Sequence, residues 1–345
     1  MKKRISLIIC ISLIAILMMT ACGQQNITDG DVKNAKLTLN FNFGERSGKY
    51  TGTLANGLPE GFGTFTVTDS ENPKWTYEGN WKKGHFDGKG KASWPNGWVE
   101  AGTYKDDKIV PMSGEEVKTL YTETESFKDC CVEITGKVFS APEYDQDGVS
   151  FQMWGDYDNS EKNTMVTLGD PKFEIKDGDY VKLVGFVRGT FEGQNMLGGK
   201  IVAPIIYSNE CEVIEYKDLF AVIDEITVNQ TINQLGYIVT VQKVEFTEKD
   251  TRVYVKIENN GKNEFDLYSF NAKLVHGGRQ YEEQDDWNSN YPEVQTDLIA
   301  GVTTEGIIAF PPLEPGDVKI ILDGSSEDYN ERLDDYVYEA KLSNE

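Results

Sequence analysis

Histidine is nearly missing from this chain: only His85 and His276 occur in 345 residues. Histidine is the side chain that ordinarily titrates near neutral pH, and many nucleophile–base pairs are built on it. The two lie in different parts of the chain, and neither has a nucleophile elbow beside it. No Gly-rich phosphate loop ending in Lys occurs. Paired carboxylates carry no weight in a chain with 57 acidic residues. No enzyme activity, cofactor or metal site is therefore expected. Positive charge is also short, with 34 Lys and Arg against 57 Asp and Glu, net −23. Nucleic acid is bound by basic faces that displace counterions, so no nucleic-acid partner is expected. One long apolar run exists, Ile5 to Met19, broken by Ser6 and Ser12. It is shorter than the roughly 20 residues a spanning helix needs, and with hydrophobic residues at 39% the composition argues against a multi-spanning membrane protein. What is abundant is aromatic: 17 Tyr, 16 Phe and 6 Trp, too many for a disordered chain.

The apolar run follows Lys2, Lys3 and Arg4, as in a secretory signal. It ends in Met19-Thr20-Ala21-Cys22-Gly23. This resembles the lipobox of bacterial lipoproteins, with Met19 in the place usually held by Leu. The resemblance implies cleavage before Cys22 and a diacylglycerol on its thiol. Residues 1–21 would then be a signal peptide and 22–36, polar and without hydrophobic period, a flexible tether. The expected location is the extracytoplasmic side of a membrane, held by the N-terminal lipid.

The next block is a repeat. Tyr50 and Tyr77 open the same pattern, with Gly52, Gly57, Gly61 and Gly63 matching Gly79, Gly84, Gly88 and Gly90. A partial third copy starts at Glu100, has Gly102 and Tyr104, and runs into Asp106-Asp107. The spacing predicts a row of β-hairpins. Gly57 and Gly84 belong in turns that need positive φ, and the Gly-x-Gly pairs allow close backbone approach. Tyr50, Leu54, Phe65, Tyr77, Trp81 and Trp94 supply a shared core, and Leu37, Leu39, Phe41 and Phe43 form a capping strand. Residues 50–108 resemble the membrane-occupation-and-recognition-nexus (MORN) repeat, apart from an expansion near Glu71–Lys74. The resemblance implies a scaffold for protein contacts, in some members dimerisation or lipid contact; a plain spacer fits the same residues. His85 is expected to be a solvated turn residue. The boundaries of this sheet are set at 37–111.

Residues 112–216 read differently. Ser113-Gly114-Glu115-Glu116 fits a capping box, and Val117, Leu120, Tyr121 and Thr124 continue at helical spacing. Five short strands follow: one through Val132, Ile134 and Val138, others over 149–154, 164–168 and 181–187, and one closing the block. Gly-rich corners suggest a small barrel. The Gly178–Phe191 stretch resembles the third-to-fourth strand region of an OB-fold, close to tRNA-anticodon-like domains of secreted bacterial proteins. Nucleic-acid-binding members pair basic grooves with stacked aromatics. Residues 115–216 instead carry −11, and Phe151, Trp154, Phe186 and Phe191 have few cations nearby. A peptide, glycan or protein surface fits better, or a spacer. The resemblance implies that the first and last strands are close, so a Cys130–Cys211 disulfide is expected, with Cys131 free or paired in its place.

The last block, 217–345, is read as an immunoglobulin-like sandwich. Val239 and Val241, then Val244 and Phe246, alternate across a kink. Val253, Val255 and Ile257 follow, then Tyr268, Phe270, Ala272 and Leu274, then Ile307 and Ala309, then Val318, Ile320 and Leu322. Residues 226–325 resemble a domain of unknown function found in lipoproteins of Gram-positive bacteria, which implies a fold and no activity. The acidic runs Glu282–Trp287 and Asp145–Gly148 lack spaced Ca²⁺-ligand order and read as solvated loops. Residues 37–111 carry no net charge and 236–345 carry −13, so the acidic blocks are expected to stand off an anionic membrane.

The sequence thus predicts a mainly β chain: MORN hairpins, a small OB-like barrel and an immunoglobulin-like sandwich in series. Its expected role is a membrane-anchored, non-catalytic binding or scaffold module for a protein or envelope polymer. A structural spacer is the alternative, and a metal- or glycan-handling enzyme ranks last. The oligomeric state is left open.

Overall fold

The computed structural model describes residues 29–194, 198–284 and 289–343. Cys22 and the signal and lipobox expectations lie outside them. The chain is mainly β and divides into two compact units, before and after Pro111–Met112.

The first unit is one seven-stranded antiparallel sheet whose strands follow chain order. The strands are β1 (Gly30–Phe41), β2 (Gly44–Ala55), β3 (Leu58–Val67), β4 (Thr76–Lys82), β5 (His85–Ser93), β6 (Val99–Lys105) and β7 (Lys108–Val110). Three two-residue turns, Asn56-Gly57, Lys83-Gly84 and Asp106-Asp107, have positive φ at both positions. That geometry matches the twist of the flanking strands. The third copy is therefore a complete hairpin, with Asp107 where the others have Gly. One face of the sheet is aromatic. Tyr50 and Tyr77 are fully buried and lie flat over the glycines: a Cβ on Gly63 would collide with the Tyr50 ring, and one on Gly90 with the Tyr77 ring. The hydroxyls of Tyr50 and Tyr77 donate to the carbonyls of Thr53 and Asn80, each at 3.1 Å. The repeat spacing is thus a packing rule, one ring over two bare backbones.

Two expectations change here. β1 starts at Gly30, so residues 30–36 pair with β2 rather than lying in the tether. Backbone pairing, with an irregularity between Val32 and Ala35, fixes this stretch without an apolar period. Phe43 is in the β1–β2 turn and is half exposed, stacked on Phe41.

The second unit opens with α1 (Glu115–Leu120), which buries Val117 and Leu120. Its N-cap is Gly114, at φ 57, without a side-chain cap, so the Ser113 capping box is not formed. Then come β8 (Cys131–Val138), β9 (Glu143–Tyr144), β10 (Val149–Asp156), β11 (Glu161–Leu168), β12 (Tyr180–Gln194) and β13 (Lys200–Ile214). The pairings run β11-β13-β12-β8-β10 and return from β10 to β11. β11 and β13 are parallel and the other pairs antiparallel. Val132, Ile134, Val166, Val181 and Leu183 are buried together inside.

The expected disulfide is not formed, because β12 lies between the two cysteines. The Cys130 carbonyl accepts the Val187 N–H from one side of β12, and Cys211 pairs with Leu183 on the other. Two strand spacings are about 10 Å, beyond the roughly 7 Å a disulfide spans. Cys130 and Cys211 are free thiols, and Cys131 is buried at the start of β8.

The rest of this unit holds two four-stranded sheets and a two-stranded one. β14 (Val222–Gln234), β15 (Tyr237–Thr247), β16 (Thr251–Asn259) and β20 (Thr303–Phe310) form one in that order. Between β16 and β20 come β17 (Phe265–Leu267), β18 (Lys273–His276) and β19 (Arg279–Glu282). After them come β21 (Val318–Leu322), β22 (Gly324–Ser326) and β23 (Tyr336–Ala340). The second sheet runs β19-β18-β21-β23, and β17 pairs with β22. Both large sheets feed one core. The kink in β15 is a register shift between Val241 and Lys243, which keeps Val241 and Val244 both inward. Tyr338 and Tyr336 on β23 donate to the carbonyls of Val239 and Tyr237, at 2.7 and 3.2 Å. The Tyr268–Leu274 strand is shorter than expected. Ser269–Asn271 form a 3-10 turn, Phe270 is 68% exposed, and only Lys273 onward is strand. In β20 the buried apolar side chains are Ile308 and Phe310, not Ile307 and Ala309.

Candidate interaction surfaces

His85 is not a solvated turn residue. It opens β5, and its Nδ1 is 2.7 Å from the buried Asp107 carboxylate. That carboxylate also accepts the Asn42 N–H at 2.9 Å and the Phe86 N–H at 2.8 Å. One side chain from the last turn therefore ties together the β1–β2 turn and the start of β5. Other carboxylates serve other turns: Asp29 accepts the N–H groups of Asn56 and Gly57, and Glu60 that of Lys83. The hydrogen bonds from Gly57 and Asn56 hold Asp29 below its ordinary pKa. The face opposite the rings is polar, with hydroxyls bonded across strands, Thr38 to Ser47 and Thr66 to Thr76. Phe62 stands out at 62% exposed.

In the second unit, the β8–β13 sheet and the two four-stranded sheets that follow it in the chain are joined by a buried polar-aromatic cluster. Tyr216, fully buried in the 3-10 helix Tyr216–Leu219, meets Tyr180 of β12 and Tyr291 edge-on, at 5.3 and 5.4 Å. Arg252, 1% exposed, donates to the Lys217 carbonyl at 2.7 Å and to Asp250 at 2.8 Å, and lies over the Tyr291 ring. Glu245 accepts from Lys243 and from Tyr254. Burial alone would raise its pKa, but those hydrogen bonds and the charges of Lys243 and Arg252 hold it below the ordinary value. Sequence reading missed this cluster. Its one signal was Arg252, two residues after Asp250, at the head of a run otherwise read as core strand.

The outer side of β10 carries a second aromatic feature. Phe139 and Trp154 stack at 3.8 Å, and the Asn163 amide donates to the Gln152 side chain at 3.2 Å. Phe151, grouped with Trp154 in the sequence, is instead in the core. A shallow depression of about 330 Å³ lies along β12 and β13, lined by Lys182, Leu183, Val184, Glu210, Cys211 and Glu212. Burial, then the Glu212 charge, pushes the Cys211 thiol up to about 12, so it is protonated at neutral pH. Burial and Asp129 raise Cys130 as well. His276 bonds through Nδ1 to the Asp317 carbonyl at 3.0 Å. Asp145 closes a turn by accepting the N–H groups of Asp147 and Gly148. Of the Glu282–Trp287 run, residues 285–287 lie outside the described residues. Among the described residues, no three His, Cys, Asp or Glu side chains gather closely enough to hold a metal ion.

No curated protein and no solved structure matches the chain. A family model described as MORN repeat matches residues 50–69 and 77–99. These are the β2–β3 and β4–β5 hairpins, in which a tyrosine ring lies over two glycines. Residues 50–99 of this mainly β chain are thus a pair of MORN repeats.

Proposed function

We propose that this protein is a bacterial lipoprotein, anchored through an acylated Cys22 on the extracytoplasmic side of a membrane, that acts as a non-catalytic binding or scaffold module. In this reading the MORN hairpins, an OB-like barrel over β8–β13 and an immunoglobulin-like sandwich over β14–β23 follow one another along the chain. The circuit of pairings through β8, β10, β11, β13 and β12 supports the barrel assignment. The shared core of the two four-stranded sheets supports the sandwich.

One observation carries the non-catalytic reading: the buried carboxylates are committed to structure. Asp107 ties turns together, and Asp250 and Glu245 are held by Arg252, Lys243 and Tyr254. A catalytic acid or base has to face a substrate, and these face N–H and O–H groups of the same chain. The Tyr216–Arg252 junction also favours a second reading, a stiff spacer that holds its modules at fixed geometry. Membrane fractionation of cells making the wild type and Cys22→Ser tests the anchor. The wild type should pellet with membranes and the variant should be released. Equal pelleting would overturn the proposal.

A further inference from the structure

The two ends of the sandwich-like region differ. At one end, β15 finishes at Thr247 and β16 starts at Thr251, and there Asp250 and Arg252 are bound into the junction with Lys217 and Tyr216. The opposite end is built of four connections that hold one another. The Asn260 N–H bonds to the Gly236 carbonyl at 2.8 Å, and the Gly301 N–H to the Asn259 carbonyl at 2.7 Å. The buried Asn259 side chain donates to the carbonyls of Leu298 and Asn263, at 2.6 and 2.9 Å. Gln234 and Asp334 exchange two hydrogen bonds, at 2.7 and 2.8 Å. Glu331 accepts from Tyr237 and Ser326. These loops are fixed before any partner arrives.

Yet three of their tips point large apolar groups outward. Leu235 is 62% exposed, Ile299 55% and Tyr329 88%. Ordered loops with apolar and aromatic tips lose little conformational entropy on binding. Charge selects the partner. Residues 260–264, 297–301 and 327–335 hold seven acidic and two basic side chains. An anionic membrane or polymer would be repelled, and a basic protein surface attracted.

We propose that this end of the sandwich docks a cationic protein segment, with Leu235, Ile299 and Tyr329 entering an apolar socket ringed by Lys or Arg. The proposal rests on the binding-module reading above and names the partner class and the surface.

The test uses the full chain purified in detergent and three dye-labelled peptides: an amphipathic Lys/Leu peptide, its Glu/Leu counterpart and a Lys-only peptide. Anisotropy titrations are run on the wild type, on the triple variant Leu235→Ser, Ile299→Ser, Tyr329→Ser, and on Phe270→Ser as an exposed control outside these loops. The Lys/Leu peptide should bind the wild type and Phe270→Ser alike, weaken with salt, and lose about tenfold or more in affinity for the triple variant. The triple variant should keep the wild-type unfolding midpoint. The proposal is overturned if the Lys/Leu peptide fails to bind the wild type or binds the triple variant equally. It also fails if either other peptide binds as well, or if neutral phosphatidylcholine vesicles take up the protein through these tips. Each such result leaves the Cys22 fractionation outcome untouched, so failure of this surface and failure of the lipoprotein reading are separable.

Discussion

Gly90 and Tyr77 show at the residue scale why the repeat tolerates so little change. The ring occupies the space a side chain on Gly90 would need. Gly90→Ala should cost about 1–3 kcal/mol in urea unfolding of the first unit, the usual range for overpacking a filled site. Gly97→Ala has no such neighbour within 4 Å, but its φ of 88° limits it as a control, so Thr103→Ala, exposed on the polar face of β6, is the better comparison. Glu245 makes a pH prediction. Its folded pKa lies below the unfolded value, so its contribution is present above about pH 4.5 and is lost as pH falls through the folded pKa. Stability measured from pH 7 down to 3 should therefore fall more steeply for the wild type than for Glu245→Gln. Parallel curves would contradict the assignment.

Much of the element scale was legible in the sequence, and the failures have physical causes. The hairpin repeat, five of the six strands of the β8–β13 sheet and the core strands β15, β16 and β21 announce themselves by Gly spacing or by strict alternation. β14 and β23 were missed. β14 is an edge strand whose inward residues Ile226, Val228 and Ile232 are set among mostly exposed ones and interrupted by an irregularity between Thr227 and Gln230, so its alternation is broken. β23 buries Tyr336 and Tyr338, residues that sequence alone does not tell from surface tyrosines. The disulfide expectation failed because it needed strand order, which depends on pairing partners far apart in sequence. The same limit hid the junction around Tyr216, whose partners come from β12 and from the segment before β20. That junction predicts cooperativity between elements. Wild-type β8–β13 and β14–β23 should unfold in one calorimetric transition. Tyr216→Ala should split it and cost about 3–5 kcal/mol, as for other buried aromatics cut to Ala. A single unshifted transition would show that the cluster does not couple them.

For the whole molecule, the proposal joins an N-terminal anchor to binding surfaces, and charge is consistent with that division. The repeat block is neutral, and the acidic surplus lies in residues 115–216 and 236–345. In that proposal the region beyond the junction would offer its fixed loops as the surface for recognition, and the repeat sheet would supply a scaffold close in sequence to the lipid. The anchor is the premise on which this arrangement depends. Intact-mass and peptide mass spectrometry of the membrane-extracted protein tests it most directly. The mature chain should begin at Cys22, and this residue should carry a diacylglycerol mass. A chain that still begins at Met1, or an unmodified Cys22, would rule out the lipid anchor.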